Sequence, residues 1–311
     1  MKKYQLMTLF IIGLIIFAEV SSAKAFRPNN NSVDFSVGNS WDRRPPNDND
    51  LSNPLILNLV SRTARIYSNT GANGKSIPVG SGVYLGKYQN QYIMMTNNHV
   101  IPDQKFCVTV DSVKFENQKN LKCGEIIFTD YKIDITVFTL QSNTNEEHLE
   151  NLPPMEFETQ KKYSAGQSLI TAGFGSFKNN QGSITIDNSP NCILMRGSDK
   201  LLNLILNNSK TSLPGLAHAC EQSEGDSGSV IIDSLTSKIV GLNFFVATER
   251  NVKVQSDSII QNNVLNPSAE ILGSISYAIP SALIKKSLDN SLVDPKQKHK
   301  DILYALLSLF D

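Results

Sequence analysis

The 311-residue chain balances 29 Lys plus Arg against 29 Asp plus Glu, so no net field draws it to nucleic acid or an anionic membrane. Its length suits one large or two ordinary domains. Its four cysteines, none at the short spacing of a metal knuckle, make a zinc site the weaker reading and fit disulfides in an oxidising compartment.

The first 25 residues read as a signal peptide. Lys2 and Lys3 open it, Leu6 to Ala18 is almost wholly apolar, and Ala23-Lys24-Ala25 has the small-x-small pattern of a cleavage site. The apolar run falls short of the roughly 20 residues of a spanning helix, so an uncleaved anchor is the lesser alternative. The expected mature chain starts at Phe26, secreted or periplasmic, with no membrane attachment once the signal is removed. Residues 26–54 are rich in Asn, Asp, Ser and Pro with few aliphatics, which predicts a mobile leader or pro-segment.

From residue 55 the texture changes to short apolar runs broken by Gly, Asn and Asp. SGVYLGKY (81–88), QYIMMTNN (91–98), FCVTV (106–110), GEIIFTD (124–130) and DITVFTL (134–140) fall in a first half spanning 55–150. A polar stretch over 151–164 reads as a linker. SLITAGFG (168–175), GSITID (182–187), SVIID (229–233), KIVGLNFFV (238–246) and SISYAIP (274–280) follow in a second half, 165–290. Many short strands with turn signals between them predict an all-β sandwich or barrel. The tail, 291–311, carries the helical apolar spacing of DILYALLSLFD.

Chemistry concentrates at three places. The stretch EGDSGSV (224–230) sets Ser227 close to Gly225 and Gly228, which is either a tight turn or a nucleophile whose backbone passes close to a carbonyl. Acyl transfer by serine also needs a base, a group to orient it, and donors for the oxyanion. Of four histidines, His99 follows an apolar strand, where a side chain can project into a cleft. His148 and His299 lie among charges, and His218 is either a pocket or a surface residue. Asp134, opening an alternating strand, is the best orienting carboxylate, with Asp130 as the alternative.

TNNHV around His99, DITVFTL from Asp134 and GDSGS around Ser227 resemble the signature blocks of trypsin-like serine proteases, most closely the secreted bacterial members. GSGVYL, LITAGFG and SYAIP resemble further strands of that family, so the likeness covers roughly residues 78–285. It implies two packed six-stranded antiparallel β-barrels of the chymotrypsin type, here with a C-terminal helix. It implies a serine endopeptidase acting through His99, Asp134 and Ser227, with the N–H groups of Gly225 and Ser227 as oxyanion hole. No cofactor or metal is implied; the partners are protein or peptide substrates, and a monomer is expected. A non-catalytic homologue serving as a binding or regulatory module is the alternative.

Departures from the family shape further expectations. Vertebrate digestive members insert a newly cut Ile-Val-Gly-Gly-like terminus beside the aspartate that precedes the nucleophile. No such motif occurs here, so Asp226 needs another partner. Four cysteines allow three pairings, and Cys107–Cys123 with Cys192–Cys220 is the favoured set. By the same resemblance, Glu221 and Gln222 before the nucleophile and Asn243 after it border the specificity pocket. Glu221 is then either an acidic base for a substrate Lys or Arg, or an exposed loop residue.

Overall fold

The computed structural model describes residues 43–310, apart from 69–76, 102–108, 113–121, 142–148, 150, 160–162, 165, 176–182, 191, 196–214 and 249–274. All of them belong to one unit, Ser40–Asp311. Among the described residues, twelve strands make two six-stranded antiparallel sheets, which meets the expected all-β fold of two six-stranded units. The first comprises β1 (Thr63–Ser68), β2 (Ile77–Tyr88), β3 (Gln91–Thr96), β4 (Thr109–Ser112), β5 (Lys122–Asp130) and β6 (Ile135–Gln141), in the order β4-β1-β2-β3-β6-β5. The second comprises β7 (Leu169–Gly173), β8 (Thr185–Asp187), β9 (Leu216–His218), β10 (Val230–Asp233), β11 (Ile239–Thr248) and β12 (Ile275–Pro280), in the order β8-β7-β10-β11-β12-β9.

The apolar runs become strands buried on both faces. Successive side chains of a strand point to opposite sides, so one run can feed two cores. In β3, Tyr92 and Met94 join a cluster with Ile66, Phe138 and Leu140, inside the first sheet. Ile93 and Met95 join instead a larger core that also takes Val230, Ile232 and Leu242 from the second sheet. Ile231 and Val240 turn the other way, into a third cluster with Leu169, Cys192 and Cys220. Each sheet thus keeps its own interior, and a shared core joins the two.

Helices close that shared core. At the N-terminal side lie α1 (Asp48–Ser52) and α2 (Pro54–Arg62), the latter contributing Ile56, Leu59 and Val60. At the C-terminal end, α3 (Ser281–Leu292) and α4 (Lys300–Leu307) contribute Ile284, Leu288, Leu303 and Leu306. The helical part therefore begins ten residues before the expected tail at 291, directly after β12. Within the 151–164 linker, Phe157 is fully buried, bridges Ile239, and stacks on Phe310 at 4.1 Å between ring centroids.

The expected mobile leader needs correction at its C-terminal end. Residues 43–53 are placed on the second sheet, with an antiparallel bridge from Arg44 to Ile186. Three of their Asn and Asp side chains bond to backbone, and one of these, Asp50, is buried. Asn47 and Asp50 form a reciprocal capping box on α1, and Asn53 caps α2 ahead of Pro54. Cys192 and Cys220 are bonded as expected. Cys123 is also disulfide-bonded, whereas Cys107 lies outside the described residues. No helix among the described residues is long and apolar enough to cross a membrane.

Candidate active site

The site is assembled where the strand ends of the two sheets meet. β3 pairs with β6 in a register that sets Thr96 opposite Thr136. His99, just past the end of β3, therefore meets Asp134, just before β6. The Asp134 carboxylate receives two contacts from that one residue: Oδ1 accepts the His99 backbone N–H at 2.8 Å, and Oδ2 lies 2.7 Å from Nδ1. A carboxylate only accepts hydrogen bonds, so the contact places a proton on Nδ1 and leaves the Nε2 lone pair free.

Asp134 is itself held hard. Its carbonyl oxygen accepts from Asn98 N and Asn97 Nδ2, both at 3.1 Å. Its φ is 61°, a left-handed conformation that Asp tolerates better than most residues. The alternative carboxylate, Asp130, takes no part. It accepts the Lys132 N–H at 2.8 Å and the Ser287 hydroxyl of α3.

Ser227 comes from the second sheet, on the loop that enters β10. Gly225 and Gly228 have φ of 96° and 87°. A Cβ on Gly228 would lie 2.1 Å from the Ser81 carbonyl oxygen, and one on Gly225 would lie 2.7 Å from that of Phe174. Both positions demand glycine for conformation and for space. Ser81 of β2 fastens this loop to the first sheet. Its N–H donates to the Ser227 carbonyl at 2.8 Å, and its hydroxyl donates to the Gly225 carbonyl at 2.7 Å. A Cβ on the neighbouring Gly80 would meet both Val100, next to His99, at 2.6 Å and the Ser227 carbonyl oxygen at 3.0 Å. The histidine turn and the serine loop therefore flank the same point of β2. Unlike the His99–Asp134 pair, the Ser227 hydroxyl makes no hydrogen bond among the described residues, to His99 or to any other. The N–H groups of Gly225 and Ser227 are likewise without an acceptor there.

Asp226, next to Ser227, is turned into the interior. It is fully buried and pairs with the guanidinium of Arg43, a residue within the stretch expected to be a mobile leader. Burial pushes the Asp226 carboxyl up. The Arg43 charge and the N–H groups of Ser223 and Gly175 act the other way.

The expected specificity residues are also buried. Glu221 fits neither reading given to it, because its carboxylate accepts the Arg43 backbone N–H at 2.8 Å instead of standing open to substrate or solvent. Gln222 Nε2 donates to Thr171 Oγ1 at 3.2 Å, and Asn243 Nδ2 donates to Ser229 Oγ at 2.9 Å. Both line the interior of the second sheet. The disulfide between Cys192 and Cys220 anchors the segment leading to them; in the loop-entropy picture such a link is worth about 3 kcal/mol.

His218 is fully buried rather than at a surface; neither ring nitrogen reaches full hydrogen-bond geometry among the described residues, the Asn243 side chain being its polar neighbour. Burial pushes its pKa from 6.5 down to about 3, with the Asn243 side chain acting in the opposite direction. Between those values the unfolded chain binds a proton that the folded chain refuses. Stability contributed this way is full above about pH 6.5 and falls on acidification, by up to about 1.4 kcal/mol per pH unit. Urea unfolding at a series of pH values should show that slope, and His218→Gln should flatten it. An equally steep variant would place the proton uptake elsewhere. Of the other histidines, His299 Nε2 lies 3.1 Å from Glu125, and His148 is outside the described residues.

Residues 80–242 match a family described as a trypsin-like peptidase domain. None of the curated proteins matches the chain in sequence. Two solved structures of Rv3671c from M. tuberculosis resemble the fold. One is a Ser-to-Ala mutant in an inactive form, 15% identical, with a TM-score of 0.45, covering 81% of this chain and 97% of that one. The other is the protease in its active form, 16% identical, with a TM-score of 0.47, covering 83% and 93%.

Proposed function

The chain belongs to the trypsin-like peptidase domain family, and we propose that it works as a secreted serine endopeptidase acting on proteins or peptides. The observation that carries this reading is the pair of contacts from Asp134 to His99, beside a serine loop that cannot accommodate side chains at Gly225 or Gly228.

Ser227 Oγ attacks the scissile carbonyl carbon while His99 Nε2 takes its proton. The carbonyl oxygen becomes an oxyanion, received by the N–H groups of Gly225 and Ser227, each worth about 3 kcal/mol to the transition state. The imidazolium, stabilised by Asp134, gives its proton to the leaving amine as the C–N bond breaks. Water then attacks the acyl-enzyme by the same steps in reverse order, releasing the acid and restoring Ser227. The signal at residues 1–25 and the disulfide fit export to an oxidising compartment.

A fluorophosphonate probe tests the proposal directly. The wild-type chain is expected to form a covalent adduct on Ser227, mapped by peptide mass, which His99→Ala abolishes. Folded protein that takes up no label would favour a non-catalytic binding module instead.

A further inference from the structure

The least accessible charge pair near the site lies behind the serine loop, where no step of the chemistry uses it. The side chains of Arg43 and Asp226 are 0% and 1% exposed. Their contact is a two-pronged fork, with Nη1 donating to Oδ2 at 2.6 Å and Nη2 to Oδ1. Two further Arg43 donors are also used. Nε donates to Thr185 Oγ1 at 2.6 Å, and Nη1 also donates to the Glu221 carbonyl at 2.8 Å. Asp226 Oδ2 accepts the Ser223 N–H at 2.8 Å. The surrounding backbone leaves room for the fork. A Cβ on Gly173 would come within 2.3 Å of Asp226 Oδ1, and one on Gly175 within 2.2 Å of Oδ2.

Removing two charges from water is costly, and an apolar filling of the same space would often be at least as stable. A buried ion pair is better explained by the one arrangement it permits. Asp226 sits between Gly225 and Ser227, so anchoring its side chain fixes the peptides on either side. The cation comes from upstream of both sheets. Arg43 is held there by the Arg44–Ile186 bridge, by the Arg44–Asp50 ion pair and by the capping box of α1. It is a side chain of an intact segment, not a chain terminus.

We propose that Arg43 is a positioning residue for the oxyanion loop: its fork on Asp226 holds the Gly225 and Ser227 N–H groups toward the substrate, so the chain is competent without a newly cut N-terminus beside Asp226. The inference rests on the serine-endopeptidase reading above. It makes residues 43–50 a strap whose seating sets turnover.

The test compares full-length wild type, Arg43→Ala and Arg43→Lys, measuring thermal unfolding, kcat, KM and the rate of fluorophosphonate labelling. Arg43→Ala is expected to lower kcat and labelling by about 10² or more, the loss associated with a missing oxyanion donor. KM should stay within about threefold, because binding is not what is lost. Lysine restores the charge but not the fork and should recover part of the rate. Ethylguanidinium added to Arg43→Ala should restore activity at least about tenfold, and should do nothing for Arg43→Ala combined with Asp226→Asn. Active wild type beside a folded Arg43→Ala of equal kcat would overturn the proposal. So would a loss that merely follows the unfolded fraction without rescue. If Arg43→Ala does not fold, a folded Arg43→Lys with unchanged kcat overturns it and one with lowered kcat supports it. A folded wild type with neither turnover nor label would end the endopeptidase reading, and this inference with it.

Discussion

Ser227→Ala is expected to lower turnover by about 10⁶, the scale seen when a triad nucleophile is removed. That factor corresponds to about 8 kcal/mol of lost transition-state stabilisation. The fold should not notice. The Ser227 carbonyl keeps its bond from Ser81 N, and Gly225 and Gly228 keep the backbone turn that presents the side chain. The hydroxyl itself has no hydrogen bond to lose among the described residues, so unfolding should shift by no more than about 0.5 kcal/mol. Single-turnover hydrolysis of a fluorogenic peptide, run beside thermal unfolding of both chains, checks the separation. An alanine variant that kept even one part in a hundred of the turnover would remove Ser227 from the nucleophile's role.

The residues proposed for catalysis could be picked out because each announces itself within a few neighbours. His99 follows an apolar strand, Asp134 opens another, and Ser227 stands between two glycines in a run that reads either as a tight turn or as a nucleophile's setting. Strand pairing then brings the first two together by register alone. What could not be read was what lies far away in sequence. Asp226 visibly required a cation, yet the residue that supplies it is 183 positions upstream, in a polar stretch whose composition predicts disorder. A weaker local signal was present there. Asn47 three residues before Asp50, and Asn53 ahead of Pro54 and an apolar run, are cap patterns that mark helix starts. Glu221 was misread for the same reason as Arg43. Its neighbours do not say what meets its carboxylate; the answer is the Arg43 backbone N–H. His218 shows the opposite limit, since no nearby residue reveals that a histidine in GLAHACEQ has its ring wholly inside the second sheet.

Asp134→Asn is expected to lower turnover by about 10⁴ with little change in stability, because the substitution reverses one proton. The carboxylate makes two contacts with His99 that differ in kind. Oδ1 accepts a backbone N–H that can never accept in return, so the asparagine carbonyl must occupy that place. Its NH2 group then faces Nδ1, where Oδ2 had stood at 2.7 Å. A donor facing Nδ1 requires that nitrogen to be bare, which sends the ring proton to Nε2. The imidazole can then no longer take a proton from Ser227. The backbone does not resist the change, since Asn adopts the left-handed region at φ 61° at least as readily as Asp. Asp130→Asn supplies the contrast. Its carboxylate joins the loop before β6 to Ser287 on α3, so its loss should soften that helix's docking by about 1 kcal/mol and leave kcat within about twofold. Measuring kcat and unfolding for both variants distinguishes the roles. If Asp130→Asn were the crippling change and Asp134→Asn the mild one, His99 would be oriented by a group other than the one it touches.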